Sequence, residues 1–220
     1  MLDKDLQDSE LYESRFRFKE RSSNVRFFCV LFAVFICFLS FRIWWVNSFS
    51  RVLVDGWSMK ATLADEQELL MRHVDKKHKP VRGDIIVVYV GGYEECKDVG
   101  SQYIIKRLIA TAGDKVRCTD GQVQIMYAGT DKYVDLAEPY AYYGTDKAKD
   151  AYDFAEYEVH AGEIFFLGDN RSGKGSSVDS RYYDYPNGSR LQDRLYKEKD
   201  IYGFITEWSL EHSDFLSKLF

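Results

Sequence analysis

Histidine is scarce in this chain of 220 residues, with only His73, His78, His160 and His212. They form no cluster. The five-residue spacing of His73 and His78 is a poor metal signature, and no histidine stands where it could act as base to a nucleophile. Cysteine is equally rare. Cys29 and Cys37 fall inside an apolar run and read as packing residues, while Cys96 and Cys118 lie beyond it. There is no Cys-x-x-Cys unit, the usual signature of a structural zinc or a dithiol redox centre. A Cys96–Cys118 disulfide is chemically permitted outside the cytoplasm, but sequence says nothing of their separation. Internal repeats and low-complexity tracts are missing. So is any basic excess in the main body of the chain. Residues 47–220 carry 23 Lys and Arg against 29 Asp and Glu, a net charge of −6. Such a surface repels nucleic acid, which excludes that class of partner.

Long apolar runs are limited to one. Phe27 to Val46 reads FFCVLFAVFICFLSFRIWWV, twenty residues with a single charge, Arg42. At about 1.5 Å per residue this helix would span roughly 30 Å, the thickness of a bilayer core. Arg42 lies near the far end, where its stem can reach the headgroups, and Trp44 and Trp45 suit an interfacial belt. Before the span stand Arg15, Arg17, Lys19, Arg21 and Arg26, with only Glu20 against them from residue 15 onward. The positive-inside rule then predicts a cytoplasmic segment over 1–24, a transmembrane helix over 25–46 and an extracytoplasmic domain over 47–220. Val46-Asn47-Ser48-Phe49 is a poor cleavage site, so the span is expected to remain as a permanent anchor in the lipid bilayer.

The extracytoplasmic part reads as strands. Short apolar runs occur at Val52–Val54, Glu68–Met71, Ile85–Val90, Tyr103–Ile109, Lys115–Cys118, Gln122–Met126, Tyr157–Val159, Ile164–Leu167 and Ile201–Ile205. Turn residues separate them, as at Arg82-Gly83-Asp84, Ala112-Gly113-Asp114 and Ala161-Gly162-Glu163. Many short strands with few helical periods predict a mainly antiparallel β domain. Residues 127–157, rich in Tyr, Asp, Ala and Lys, show no strong period and read as a small subdomain or an insertion. The tail from Glu207 to Phe220 is expected to include a short amphipathic helix.

Two residues in this frame carry chemistry. Serine needs a base to become a nucleophile, and lysine can serve only when neutral. With an ordinary pKa near 10.4, about one lysine in 2,500 is neutral at pH 7, so a lysine base must be desolvated. Lys106 stands among Ile104, Ile105, Leu108 and Ile109. In a strand it would share a face with Ile104 and Leu108 while Arg107 points the other way. A surface lysine with a snorkelling stem would show the same pattern. Ser58 follows a short strand and Gly56, which allows a sharp turn that presents the hydroxyl.

Taken together these residues resemble the type I signal peptidases, the bacterial serine–lysine leader peptidases. Gly56-Trp57-Ser58-Met59-Lys60-Ala61-Thr62-Leu63 is similar to the nucleophile box, and Gly83-Asp84-Ile85-Ile86-Val87-Val88 to the Gly-Asp strand. Tyr103 to Ile109, continuing through Gly113-Asp114-Lys115-Val116, resembles the box of the lysine base. Glu138-Pro139-Tyr140 matches a Glu-Pro-Tyr segment, and Gly168-Asp169-Asn170-Arg171 followed by Asp179-Ser180-Arg181 matches the last box.

The resemblance implies a largely antiparallel β domain with a smaller β region, anchored by one N-terminal helix. It implies a membrane-bound serine endopeptidase that removes signal peptides from exported pre-proteins and needs no cofactor, neither metal nor nucleotide. By the same resemblance Ser58 is the nucleophile, Lys106 the general base and Ser177 the residue that orients the lysine amine. Asp179 and Arg181 form a supporting salt bridge, and Asp169 and Asn170 hold a tight turn through side-chain–backbone hydrogen bonds. Two departures stand out. Ala61 replaces the usual proline, and the longer stretch Ser172–Ser176 makes Ser176 a rival to Ser177. Other readings are a serine–lysine peptidase that processes pilin-like or conjugation subunits, and an inactive tethered binding module.

Overall fold

The structure is a computed structural model that describes residues 2–92, 101–144, 153–172, 180 and 196–213. The chain divides into two compact units, Met1–Ser48 and Phe49–Phe220.

The first unit is a single helix, α1 (Leu2–Ser48). Its stretch Asn24–Ser48, 25 residues, is long and apolar enough to cross a membrane, and none of it is buried inside the protein. Phe27, Phe28, Val30, Leu31 and Phe32 all lie exposed. A helix this apolar on every side has no stable place in water, and a lipid phase supplies the surroundings it lacks.

Among its described residues the second unit has ten strands in two sheets: β1 (Phe49–Leu53), β2 (Glu68–His73), β3 (Ile85–Tyr89), β4 (Tyr103–Thr111), β5 (Lys115–Thr119), β6 (Gln122–Met126), β7 (Val134–Asp135), β8 (Phe154–Glu158), β9 (Ile164–Leu167) and β10 (Ile201–Ile205). Six form one sheet in the order β1-β2-β10-β3-β4-β9, and four form a second in the order β7-β6-β5-β8. Every strand pair is antiparallel. The expected β class therefore holds. Within 127–157, β7 and β8 supply the two outer strands of the smaller sheet, while 145–152 lies outside the described residues. The two-residue β7 is exposed and carries no alternation that could announce it. One short helix, α2 (Glu207–Glu211), follows β10. Its first turn is capped by Thr206, whose hydroxyl accepts from the Ser209 N–H.

Burial explains the strand choices. The Ile-Ile-Val-Val run of β3 is buried on both faces, as a central strand requires. Its Ile86 and Val88 pack with Ile104, Leu108 and Phe166 on one side. Ile85 and Val87 pack with Met59, Leu63, Leu69 and Met71 on the other. A third cluster, with Val116, Val123, Ile125, Phe165 and Leu167, joins the smaller sheet to β9. Asp114 fastens the turn between β4 and β5. Its fully buried carboxylate accepts from Arg82 Nε and Nη2 at 2.6 and 2.8 Å, and from the Thr111 and Ala128 N–H groups at 2.8 and 3.0 Å. Burial alone would raise its pKa, but these donors outweigh it and hold the carboxyl below the ordinary value. Cys118 is a free, buried thiol whose pKa burial pushes up to about 12, and Cys96 lies outside the described residues.

Candidate active site

The loop after β1 is closed like a hairpin: Val54 N–H donates to Gln67 O and Glu66 N–H to Val54 O, both at 2.9 Å. Gly56 takes φ +93°, open to glycine at little cost, and its N–H donates to Asp65 Oδ1 at 2.8 Å. Two tight turns follow, with Lys60 N–H on Trp57 O and Leu63 N–H on Met59 O. Met59 and Leu63 sink into the core while Trp57 remains 57% exposed. Ser58 is thus held between a buried anchor and an exposed indole. Its N–H donates to no acceptor among the described residues.

Lys106 lies in β4 opposite Ile86 of β3. Its side chain is on the face of Ile104 and Leu108, as the strand period predicts, and only 2% of the residue is exposed. Lys106 Nζ lies 2.7 Å from Ser58 Oγ and donates to Ile105 O at 3.1 Å. Two residues 48 apart in sequence are thereby brought to hydrogen-bond distance in a water-poor setting.

The turn after β9 clasps the Ser58 loop. Asn170 N–H donates to Ser58 O at 3.0 Å, and Asn170 Nδ2 to Trp57 O at 2.9 Å. Asn170 Oδ1 also accepts from Ser172 N–H at 3.1 Å, a side-chain–backbone bond of the kind expected. Asp169 differs from that expectation. Its fully buried carboxylate faces side chains, accepting from Arg107 Nε at 2.8 Å, Arg107 Nη2 at 2.6 Å and Thr62 Oγ1 at 2.5 Å. The bidentate fork suits guanidinium geometry, which lysine could not reproduce. Gly168 allows the clasp, because a Cβ there would sit 2.6 Å from Ser58 O.

Strand alternation turns Arg107 away from Lys106 but names no partner for it, and the structure supplies several. Besides Asp169 and Thr62, its Nη1 donates to Gly83 O at 2.6 Å, and its guanidinium carbon lies 3.9 Å from the Tyr140 ring centroid. Burial, then the nearby Glu138 carboxylate, push the Tyr140 phenol well above its ordinary pKa. Glu138 in turn accepts from the fully buried Arg171 at 2.5 Å, and Arg171 Nε donates to Gly168 O at 2.6 Å. The Glu-Pro-Tyr segment and the Gly-Asp-Asn-Arg box are thus tied into one network through Arg171, Glu138, Arg107 and Asp169. In the sequence the two are linked only by belonging to the same set of resembled motifs.

Ser177, Asp179 and Arg181 lie outside the described residues. Ser180 between the latter two is buried and exchanges bonds with Phe166: its Oγ accepts from Phe166 N–H and its own N–H donates to Phe166 O, both at 3.0 Å. Ala61, which stands where the resembled motif usually has proline, has φ +85°. Proline, fixed near −65°, could not adopt that angle.

The family described as signal peptidase, peptidase S26, matches residues 26–204. Signal peptidase I U of Bacillus subtilis is 33% identical over 171 residues, covering 74% of this chain and 80% of its own. Signal peptidase I of Streptococcus pneumoniae is 30% identical over 173 residues, covering 70% and 78% respectively. The crystal structure of a signal peptidase I from Enterococcus faecalis is 24% identical, covers 59% of this chain and 98% of its own, and has a TM-score of 0.38. With most of its length matched by the family and by two relatives at 30% identity or more, the chain belongs to the signal peptidase, peptidase S26, family of serine endopeptidases.

Proposed function

We propose that Ser58 and Lys106 are the catalytic dyad of a membrane-anchored peptidase that removes signal peptides from exported pre-proteins. The observation that carries this reading is the 2.7 Å separation of Lys106 Nζ and Ser58 Oγ, with the lysine almost wholly buried. Burial disfavours the ammonium and so favours the neutral amine that catalysis needs.

In the acylation step the Ser58 O–H gives its proton to neutral Lys106 Nζ as Oγ attacks the scissile carbonyl. The Ser58 N–H meets the oxyanion, an interaction worth about 3 kcal/mol in sites of this kind. The Lys106 ammonium then protonates the departing amine and leaves an ester on Ser58. Lys106 next takes a proton from water, whose oxygen attacks the ester carbonyl. The proton returns to Ser58 Oγ as the signal peptide leaves with a free carboxylate. Asp169, Asn170 and Arg107 support the loop without touching the reacting atoms, and Ser177, Asp179 and Arg181 keep the supporting roles that the resemblance implies. The relatives' names do not favour a narrower task in pilin or conjugation-subunit processing.

The apolar helix Asn24–Ser48 supports the anchor, and the basic residues before it support a cytoplasmic N-terminus with the peptidase domain outside. Cleavage of a pre-protein by the purified full chain in detergent tests the assignment. Ser58→Ala and Lys106→Ala should each abolish it while thermal unfolding stays near that of the parent, because a dyad acts as a unit. Turnover by a folded Lys106→Ala protein would remove lysine as the base.

A further inference from the structure

We propose that Trp57, Lys60 and Tyr142 form a subsite for the first two residues of the exported, mature chain, and that Lys60 favours a carboxylate there. The proposal rests on the reading of Ser58 as the nucleophile of a signal peptidase and adds a substrate preference to it.

The Ser58 loop has two unlike flanks. On one, Met59 and Leu63 turn inward to pack with Val54, Ile85 and Val87, and Ile105 lies partly buried against them. On the other, Lys60 N–H donates to Trp57 O at 3.1 Å, a tight turn that sets two exposed side chains side by side. The Trp57 indole belongs to none of the three buried clusters. A single exposed apolar side chain is ordinary. This one is bonded directly to the nucleophilic residue and has a cation near its ring.

Lys60 Nζ lies 5.9 Å from the Trp57 ring centroid and 4.8 Å from that of Tyr142. Tyr142 is fixed to the turn after β9: its N–H donates to Asp169 O at 2.8 Å, and its O accepts from Arg171 N–H at 2.6 Å. Asn170, between those two partners, is the residue that clasps Ser58 O and Trp57 O. The turn that holds the nucleophile therefore also holds the ring beneath the ammonium. Attraction to the ring faces restrains a long stem that solvent would otherwise leave free, so less ordering is needed when a ligand arrives.

Charge decides what that ligand is. Among the described residues no carboxylate pairs with Lys60. The nearby acids are engaged elsewhere: Asp169 by Arg107 and Thr62, Glu138 by Arg171, Glu68 by Arg51 at 2.9 Å, and Asp65 by the Gly56 N–H. Asp55 and Glu66 are exposed, and Glu66, Glu68, Trp57 and Lys60 all line a cleft of about 590 Å³. The ammonium lies nearer to Tyr142, which is outside that cleft, than to Trp57. The glutamates thus repel a carboxylate from within the cleft and leave the Tyr142 side as the place where it is met. Residues 55–68 carry one lysine against four acids. A preference for a carboxylate can come from this loop only through Lys60, so one substitution tests it.

The carboxylate comes from the mature side of the bond. A signal peptide ends in an apolar stretch and a small-residue cleavage site, which suits the flank of Met59, Leu63 and Ile105. Acidic residues belong to the exported chain beyond it. Lys60 is two residues from Ser58, and two residues of extended chain cover about 7 Å, so its reach is to the first or second residue after the cut.

The test uses the purified full chain in detergent and two pre-protein peptides that differ only in the first two mature residues, Asp-Asp or Asn-Asn. At low salt kcat/KM should favour the Asp-Asp peptide by about threefold to fivefold, as an exposed ion pair does, and high salt should bring the ratio toward one. Lys60→Arg should keep the ratio, Lys60→Gln should abolish it and Lys60→Glu should invert it, with the change in KM rather than kcat. Binding to the Ser58→Ala protein, read by tryptophan emission, locates the subsite. A peptide that crosses the bond should shift the emission, a signal peptide that ends at the bond should not, and Trp57→Phe should remove the shift. Equal kcat/KM for the two peptides in the parent, a ratio that survives Lys60→Gln, or an equal emission shift from the signal peptide alone would overturn the proposal. Failure of the signal-peptidase reading looks different: the parent would cleave neither peptide, or Ser58→Ala would cleave both.

Discussion

Gly168→Ala places the most localised stress on the site. The added methyl would sit 2.6 Å from Ser58 O, whereas ordinary contact begins at 3.4 Å. The Ser58 loop or the turn after β9 must therefore retreat by about 0.8 Å. The bond from Asn170 N–H to Ser58 O, now 3.0 Å, would stretch beyond useful length. Losing it costs about 1 kcal/mol of stability, a fall in Tm of roughly 2–4 °C for a protein of this size. The effect on rate should be larger, because a displacement near 1 Å of a reacting group can cost about a hundredfold. We expect kcat to fall by about 10- to 100-fold with a pre-protein substrate while Tm moves only slightly. The pairing of a modest thermal shift with a large rate loss is the signature. Parent-like kcat from Gly168→Ala would show that the clasp does not position Ser58.

Other consequences are equally direct. If Lys106 is the buried base, the acid limb of the cleavage rate should lie clearly below the ordinary lysine pKa of about 10.4; Lys106→Arg should be inactive, and an acid limb at the free-lysine value would mean a solvated amine. Replacing Asp169 with Ala leaves the mostly buried Arg107 without its carboxylate and should cost about 3–5 kcal/mol, measured by denaturant unfolding; a loss below about 1 kcal/mol would mean that water reaches the guanidinium. Ala61, at φ +85°, should tolerate glycine with a gain of about 1 kcal/mol, whereas Ala61→Pro should destabilise the loop because proline cannot adopt that angle. Asp114 has its folded pKa below the unfolded value, so its stabilising effect is complete above the unfolded pKa and is lost as pH falls through the folded one; the pH dependence of urea unfolding between pH 5 and about 2 should flatten in Asp114→Asn.

Local pattern determined the strands because their signals are short-range. Ile164–Leu167 and Ile201–Ile205 occupy the residues expected of them, since runs of β-branched and aromatic residues between turn signals leave little choice. The apolar helix was legible for the same reason: uniform apolarity over a bilayer's thickness is a property of consecutive residues. Strand period also put Lys106 on the face of Ile104 and Leu108, and the ordered boxes pointed to Ser58 and Lys106 together. What no local pattern could hold was the distance between them. The 2.7 Å contact depends on β4 being central, on Met59 and Leu63 drawing the Ser58 loop into the core, and on the turn after β9 closing over it. The same is true of Arg107, which alternation turned away from Lys106 and which only the tertiary structure joined to Asp169, Thr62, Gly83 and Tyr140. Sequence fixes periodicity and chemistry along the chain, but the partner of a buried charge is chosen by how strands far apart in sequence are brought together, because only desolvation makes that choice energetically decisive.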